Sequence, residues 1–217
     1  DNIEVVLFGN NFTQAYKKAL EDCKTNGKTF IHPFDDLKVI EGQATVFLEI
    51  LNQFKNKIDY IFIPVGGGGL ISGAINVFKQ LSPSTKIVGI EPKGAPSMFK
   101  SLEQNKLVTL EKINGFVDGA AVKKVGNYSF DYCKDFLDDI ILIDEGEICK
   151  SILDLHKIEG IIAEPAGAMS AAALRQYKDK IINKNVVCLI CGGNNDEQRM
   201  PEINKRAKIW MINNPSC

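Results

Sequence analysis

The stretch from Tyr60 to Ala74 carries the residues whose chemistry is easiest to interpret in this chain. It begins with an unbroken apolar run, YIFIPV, which is typical of a parallel strand covered on both faces. Four glycines, Gly66 to Gly69, follow the run and lead into the start of a helix. Because glycine lacks a Cβ, backbone N–H groups there can approach a ligand, and N–H groups at a helix N-terminus favour an anion such as phosphate. The alternative is a strand-to-helix turn that binds nothing.

Two familiar phosphate loops are excluded by counting. A dinucleotide-binding fingerprint needs glycines at i, i+2 and i+5, and no frame that begins within Gly66–Gly69 supplies all three. A P-loop needs Gly-Lys-Ser/Thr after four spacers, but Ala74 and Ile75 follow Gly73. The sequence therefore predicts a loop that holds one phosphate with backbone donors alone.

The elements that must position this loop alternate along the chain. Predicted strands cover residues 3–8, 29–31, 60–65, 86–91, 140–143 and 186–190. Predicted helices cover 11–23, 39–54, 69–81, 95–104, 129–137 and 145–156, with further helices from Pro165 and after Asp196. The alternation predicts an α/β fold with an open, mostly parallel sheet and helices on both faces. We expect only the tail from about Trp210 to be loose.

Three turns that contain glycine follow apolar runs or small-residue loops, at 66–69, 118–119 and 191–193. In an open α/β sheet, ligands bind beyond the carboxyl ends of the strands. We therefore expect the three turns to meet at one site.

Composition limits the class of protein. The 217 residues are 45% hydrophobic and 24% charged with a net charge of −1, which is ordinary for a globular domain and gives no electrostatic reason to expect nucleic acid or membrane binding. The six cysteines are irregularly spaced, which favours free thiols in a reducing compartment. The first residue is Asp1 and a strand-like run follows at once, so we expect an excerpt of a larger protein.

Five residues outside the loop have side chains that could serve either the structure or a functional site. Cys188 and Cys191 have the spacing of a redox or metal-binding pair. On a strand, however, the two side chains would point to opposite faces of the sheet. Cys188 is therefore expected in the core and Cys191 near a ligand. His32 could line the site, while His156 reads as a solvated residue late on a helix. Glu164 is either a carboxylate favoured at a helix N-terminus or a residue of the site.

Several motifs occur in one order: Gly42-Gln43, Pro64 to Leu70, Asp118 to Lys123, Glu164 to Ala168 and Gly192-Gly193-Asn194. Together they resemble the pyridoxal-phosphate enzymes of the tryptophan-synthase β fold, also called fold type II. Pro33-Phe34-Asp35, Gly94 to Met98 and Gly193 to Asp196 resemble the biosynthetic threonine dehydratases (threonine ammonia-lyases) within that group. The similarity extends over nearly the whole chain.

The resemblance implies a cofactor, pyridoxal 5'-phosphate, and a role for each matched position. Gly66, Gly67, Gly68, Gly69 and Leu70 would hold the cofactor phosphate. Gly119 and Glu164 would lie near the cofactor ring, and Cys191 would contact the pyridine nitrogen. A neutral partner there favours β-elimination over transamination. The implied reaction converts L-threonine to 2-oxobutanoate and ammonia, a step of isoleucine biosynthesis.

The chain departs from the family pattern in three respects. By the family pattern, neither the Ser-x-Lys motif that holds the Schiff-base lysine nor the Asn-His loop is expected in this chain, so no catalytic residue is nominated and the isolated chain is expected to be inactive. A divalent-cation pair seen in some relatives is matched by Glu91 but not by Ser97, so no metal site is predicted. Residues 1–217 would form most of the large cofactor-binding domain, without the small domain or a C-terminal regulatory domain.

The predicted partners are a small amino-acid substrate and other copies of the chain in a homo-oligomer, with no nucleic acid and no membrane. The expected location is the cytoplasm, or an organelle matrix in a eukaryote. Serine dehydratase and serine racemase activities of the same family remain open, as does a non-catalytic phosphate-binding or interaction domain.

Overall fold

A computed structural model describes residues 3–9 and 12–215 of the chain. It separates into two compact units, one that ends at Pro33 and one that begins at Phe34. The residues that the sequence connects with phosphate binding all belong to the second unit.

The first unit contains one helix, α1 (Phe12–Asn26), and irregular segments on either side of it. The predicted start of this helix at Asn11 lies outside the described residues. The strands predicted at 3–8 and 29–31 are wrong, because neither segment has a paired neighbour among the described residues. Residues 3–8 are exposed, and an alternating pattern forms a strand only where another strand takes its backbone hydrogen bonds.

The second unit is built on a sheet of four parallel strands: β1 (Tyr60–Pro64), β2 (Lys86–Pro92), β3 (Asp139–Ile143) and β4 (Val186–Cys188). Their order across the sheet is β3-β2-β1-β4, so the first strand of this unit lies inside the sheet. This confirms the predicted parallel α/β architecture. The last strand is shorter than predicted, although the Leu189 N–H still donates to the carbonyl of Phe62.

Seven α-helices of the second unit are α2 (Leu37–Gln53), α3 (Gly69–Leu81), α4 (Ser97–Glu103), α5 (Asn127–Phe136), α6 (Glu145–Glu159), α7 (Pro165–Tyr177) and α8 (Met200–Asn213). Asp36 caps α2 by accepting from the N–H groups of Lys38 and Val39. Asp144 caps α6 by accepting from Gly146. These caps fix the helix starts.

The loose tail predicted from Trp210 is wrong. Helix α8 continues to Asn213, and the indole of Trp210 is buried with the guanidinium of Arg175 5.0 Å from its ring centroid. A late tryptophan on a helix that packs on a neighbouring helix is better read as an anchor than as a fraying end.

Helices cover both faces of the sheet, as the unbroken apolar strands require. Ile61 and Ile63 of β1 point into a core shared with α2, α3 and α5, while Phe62 between them points into a core shared with α6, α7 and α8. The buried Ser170 hydroxyl on α7 donates to the carbonyl of Phe62, which ties that helix to the central strand. Within the described residues, no helix combines the length and the apolar character needed to cross a bilayer.

Helices α2 and α3 pack so closely that one glycine contact decides their spacing. A Cβ on Gly73 would lie 2.8 Å from the backbone nitrogen of Ala44, whereas a Cβ on Gly42 would meet nothing within 4 Å. We therefore expect Gly73→Ala to lower the free energy of unfolding by about 1–3 kcal/mol through overpacking. Gly42→Ala should raise it by about 0.5–1 kcal/mol, because alanine restricts the unfolded chain.

Urea unfolding of the two variants beside the parent chain measures both changes. Equal effects of the two substitutions would contradict the close α2–α3 contact, since both exchange one helical glycine for alanine.

Candidate functional site

The glycine loop connects the end of β1 to the start of α3. The N–H of Val65 still donates to Ile90 of β2, at 2.8 Å, and the chain then leaves the sheet. Gly68 has a φ of 95°, a left-handed conformation that favours glycine. Among the described residues, the backbone N–H groups of Gly66 to Leu70 donate no hydrogen bond. Five successive donors therefore remain available to a ligand.

Each glycine of the loop lies against a neighbouring segment, and Gly67 and Gly69 share the neighbour Phe34. A Cβ on Gly66 would be 3.1 Å from the carbonyl oxygen of Gly119, and one on Gly68 would be 2.5 Å from Cβ of Ser129. A Cβ on Gly67 would overlap the ring of Phe34, and one on Gly69 would lie 2.9 Å from the Phe34 carbonyl oxygen. A side chain at any of the four positions would push away a neighbouring segment.

Sequence reasoning did not identify Phe34 and Ser129 as neighbours of the loop. Ser129 is fully buried, and its hydroxyl has no hydrogen-bond partner within the described part of the chain. Both residues come from segments distant in sequence from the loop, and the resemblance of Pro33-Phe34-Asp35 to a family motif does not show which residues Phe34 contacts. A polar side chain at the start of a helix, such as Ser129, is ordinary and does not reveal its position behind the loop.

The structure brings Gly119 and Glu164 close to each other. A Cβ on Gly119 would lie 3.1 Å from Oε1 of Glu164, and one on Gly192 would overlap the Glu164 carboxyl group. Glu164 is the N-cap residue of α7, yet its side chain makes no capping hydrogen bond. Its carboxyl group therefore lies between the turns at 118–119 and 191–193 and also at the N-terminus of α7, so both interpretations of this residue stay open.

Cys191 lies beyond the carboxyl end of β4 and is partly buried. Burial raises the pKa of its thiol, and the nearby negative charge of Glu164 raises it further. The thiol is therefore neutral at pH 7. It is a small neutral group that can donate or accept a hydrogen bond at the sheet edge where the glycine turns lie.

Cys188 behaves as a core residue. Its Sγ lies 3.6 Å from the carbonyl oxygen of Ser170, and burial raises the pKa of the thiol to about 11. The five described cysteines, 23, 133, 149, 188 and 191, are unpaired, and Cys217 lies outside the described residues.

The two histidines lie in different surroundings. His32 belongs to the first unit, where its ring centroid is 5.6 Å from that of Tyr16 and 6.1 Å from that of Phe30. Its place in the site stays a prediction. His156 is exposed in the last turn of α6, as predicted, and lines a cavity of about 370 Å³ together with Ile162, Asn195 and Met200.

The expectation that the chain contains no Ser-x-Lys motif is wrong. Ser84-Thr85-Lys86 has that spacing. Lys86 opens β2 at its amino end, is exposed, and forms an ion pair with Asp138 at 2.9 Å. The glycine loop lies at the opposite, carboxyl end of the parallel strands, so Lys86 is not a candidate for covalent catalysis there.

Glu91 is engaged by the protein itself. Its buried carboxyl group accepts from the N–H groups of Met98 and Phe99, each at 2.7 Å, and the Ser97 hydroxyl lies at 3.4 Å. Among the described residues, no group of three His, Cys, Asp or Glu side chains is arranged to hold a metal ion.

These observations can be set beside known proteins. Residues 2–192 match the family described as pyridoxal-phosphate dependent enzymes. The chain belongs to this family. A family member, the biosynthetic L-threonine dehydratase of Halalkalibacterium halodurans, is 51% identical to it over 208 residues, which are 96% of this chain and 50% of that protein. The chain thus spans about half the length of the curated relatives it matches.

Solved structures of family members have the same fold. The processed form of threonine deaminase isoform 2 from Solanum lycopersicum superposes with a TM-score of 0.90 at 40% identity, covering 94% of this chain and 57% of that chain. Serine racemase from Dictyostelium discoideum superposes with a TM-score of 0.76 at 34% identity, covering 87% and 61%. The resemblance to fold type II enzymes and to threonine dehydratases is confirmed.

The residues present fit the cofactor of this family. Its phosphate is an anion, and the loop offers free N–H donors beside the N-terminus of α3. Its pyridine nitrogen needs a neutral partner for elimination chemistry, and the Cys191 thiol is neutral.

Glu91 generates a pH prediction. Burial raises its pKa from 4.5 to about 7, and the backbone N–H bonds from Phe99 and Met98 oppose that shift. Between pH 4.5 and 7 the native state keeps a proton that the unfolded chain releases, so we expect the stability contributed at Glu91 to fall as pH rises through this window. Titration of the side-chain carboxyl ¹³C shift should give a midpoint near 7. A midpoint below 4.5 would mean that the N–H bonds outweigh burial.

Cys191 generates a second prediction, for a complete enzyme that contains this sequence. Cys191→Ser should keep most of the turnover, because a hydroxyl is also a small neutral hydrogen-bonding group. Cys191→Ala should lower turnover about five- to tenfold through loss of one hydrogen bond.

Cys188→Ser and Cys188→Ala are the matched controls, because that thiol faces the core. If serine and alanine at position 191 give the same turnover, the thiol makes no significant contact with the cofactor.

Proposed function

We propose that this chain provides the phosphate cup and the pyridine partner of a pyridoxal 5'-phosphate-dependent L-threonine ammonia-lyase. The observation that carries the proposal is the row of five backbone N–H groups from Gly66 to Leu70, which donate to no acceptor within the described ranges, in a chain 51% identical to a biosynthetic L-threonine dehydratase. Gly66, Gly67, Gly68, Gly69 and Leu70 would bind the phosphate. Gly119 and Glu164 would line the ring, and Cys191 would face the pyridine nitrogen.

Pyridoxal phosphate, when bound, supplies an electron-withdrawing ring that acidifies the Cα–H of an amino acid. The loop would hold the phosphate without a positively charged side chain, so the position of the ring would depend on the backbone alone. Gly119, which has no side chain, would leave room for a flat ring beside Glu164. The neutral Cys191 thiol would limit protonation of the ring nitrogen and so favour loss of the β-substituent.

In the proposed reaction, L-threonine loses its β-hydroxyl as water and its amino group as ammonia. One water is taken up when the resulting enamine hydrolyses, so the balanced products are 2-oxobutanoate and ammonia. The product would enter isoleucine biosynthesis. The lysine that moves the Cα proton is proposed to lie outside these 217 residues, and the isolated chain is expected not to turn over threonine.

We also propose that the chain forms most of the large cofactor-binding domain, with the residues proposed to touch the phosphate and the ring all in the unit from Phe34 onward. A homo-oligomer is supported by large apolar side chains exposed on this unit, among them Ile158 at 70% and Ile212 at 77%. A cytoplasmic location is supported by the unpaired state of the described cysteines.

A second candidate within the family is serine dehydration or racemisation. It is favoured by the superposition on a serine racemase, although the identity there is 34% against 51% for the threonine dehydratase. Turnover of threonine against serine by the complete enzyme, with a stereochemical assay of the remaining serine, separates the two.

The phosphate site is tested by Gly67→Asp. The change adds a negative charge in the loop and a Cβ that overlaps the ring of Phe34. We expect binding of pyridoxal phosphate to weaken at least tenfold, which cofactor absorbance after dialysis of the complete protein measures.

Two variants serve as controls. Gly67→Ala adds the Cβ without the charge and should have a smaller effect. Gly115→Asp adds the same side chain at an exposed glycine with no neighbour within 4 Å and should retain the cofactor. Undiminished cofactor absorbance in the Gly67→Asp variant would refute the proposed phosphate site.

A further inference from the structure

Helix α5 lies behind the glycine loop and touches it twice. The N–H of Gly126, the N-cap residue of α5, donates to the carbonyl oxygen of Gly67 at 3.0 Å. One turn further along, the buried Ser129 packs against the Cα of Gly68. The conformation of the loop therefore depends on the position of the first turn of α5.

The first turn of α5 is held from outside the helix. Gly126 has no side chain with which to cap it. The carboxyl group of Asp35, a residue 92 positions earlier in the chain, accepts from the N–H and the side-chain amide of Asn127, at 2.8 and 3.0 Å, and from the N–H of Tyr128, at 2.9 Å. The carboxyl group also lies against the Cα of Gly126, where any side chain would displace it.

We propose that Asp35 is a positioning residue for the phosphate loop and acts through the N-terminus of α5. Its carboxylate satisfies the exposed donors of the helix and interacts favourably with the positive end of its dipole. The Asp35 carboxylate thereby fixes the position of Gly126, whose N–H group donates to the carbonyl of Gly67 and orders it. The N–H groups of the loop are therefore directed toward one point before an anion binds. The neighbouring Phe34, whose ring covers Gly67, places this segment directly on the loop.

The inference rests on the proposed function, because it concerns the same phosphate loop. Replacement of Asp35 has two opposing effects on the affinity of the loop for an anion. Loss of the Asp35 charge favours a nearby phosphate electrostatically, while loss of its hydrogen bonds disorders the loop. Asp35→Asn and Asp35→Ala remove the same charge, but asparagine keeps one oxygen acceptor and alanine keeps none. The difference between these variants therefore isolates positioning.

Asp36 provides a matched control in the same segment. It has the same side chain and caps α2 by accepting from two backbone N–H groups, those of Lys38 and Val39. Asp36→Ala should lower thermal stability to a similar extent as Asp35→Ala. It should leave phosphate affinity within about twofold of the parent, because α2 has no hydrogen bond to the loop among the described residues.

The test is a titration of the 217-residue chain with inorganic phosphate, followed through the amide resonances of Gly66 to Leu70, and then with pyridoxal phosphate. We expect Asp35→Ala to bind phosphate about tenfold more weakly than the parent and Asp35→Asn to lie between them. Hydrogen exchange of the Gly126 amide, measured without ligand, should be faster in Asp35→Ala and unchanged in Asp36→Ala.

The possible failures are distinguishable. If the parent chain shows no phosphate response at Gly66 to Leu70, the proposed cofactor site itself is refuted. If the parent responds, but Asp35→Ala binds as tightly as Asp35→Asn or exchanges at Gly126 like the parent, then only the role of Asp35 is refuted. Equal weakening by Asp36→Ala would likewise reduce Asp35 to a general stabilising residue.

Discussion

The second unit depends on one constraint: a run of backbone N–H groups must remain unpaired while everything around it is packed. Unpaired donors inside a protein are costly unless a ligand or water takes them. The loop at Gly66–Gly69 satisfies both demands because it has no side chains. Its Cα atoms contact Phe34, Gly119 and Ser129 directly, and its N–H groups are left without acceptors among the described residues. Three segments distant in sequence therefore meet at one turn.

The parallel sheet follows from the same constraint. A loop of this kind needs a strand that ends abruptly and a helix that begins immediately, and β1 and α3 provide both. Since β1 lies inside the sheet, it has β2 on one side and β4 on the other. The turn that holds Cys191 leaves the sheet at the same edge as the glycine loop. The sheet thus sets the distance between the glycine loop and the Cys191 thiol, which no local sequence feature could set.

The sequence was sufficient to predict the strands and helices of the second unit and to identify its glycine turns. Apolar runs bounded by glycine and proline identified β1 and β2 almost to the residue, because strands buried on both faces carry their own signal. The segment 3–8 failed, because an alternating pattern does not show whether a partner strand is present. Asp35 and Ser129 could not be found either. Their importance comes from contacts across 92 and 61 positions of sequence with Asn127 and Gly68, and nothing local marks such pairs.

The close approach of α7 to the turn at 191–193 has a consequence for how such a site can change. A side chain on Gly167 would overlap the carbonyl of Cys191 and come within 2.5 Å of that of Gly192. The position of the Cys191 backbone, and with it the origin of the side chain, thus depends on the absence of a side chain at Gly167. Replacements at position 191 therefore keep this turn in place only while position 167 remains glycine. Most variants that change both positions together would have a displaced turn at 191–193. Single replacements at position 191 are therefore the changes that keep the turn in place.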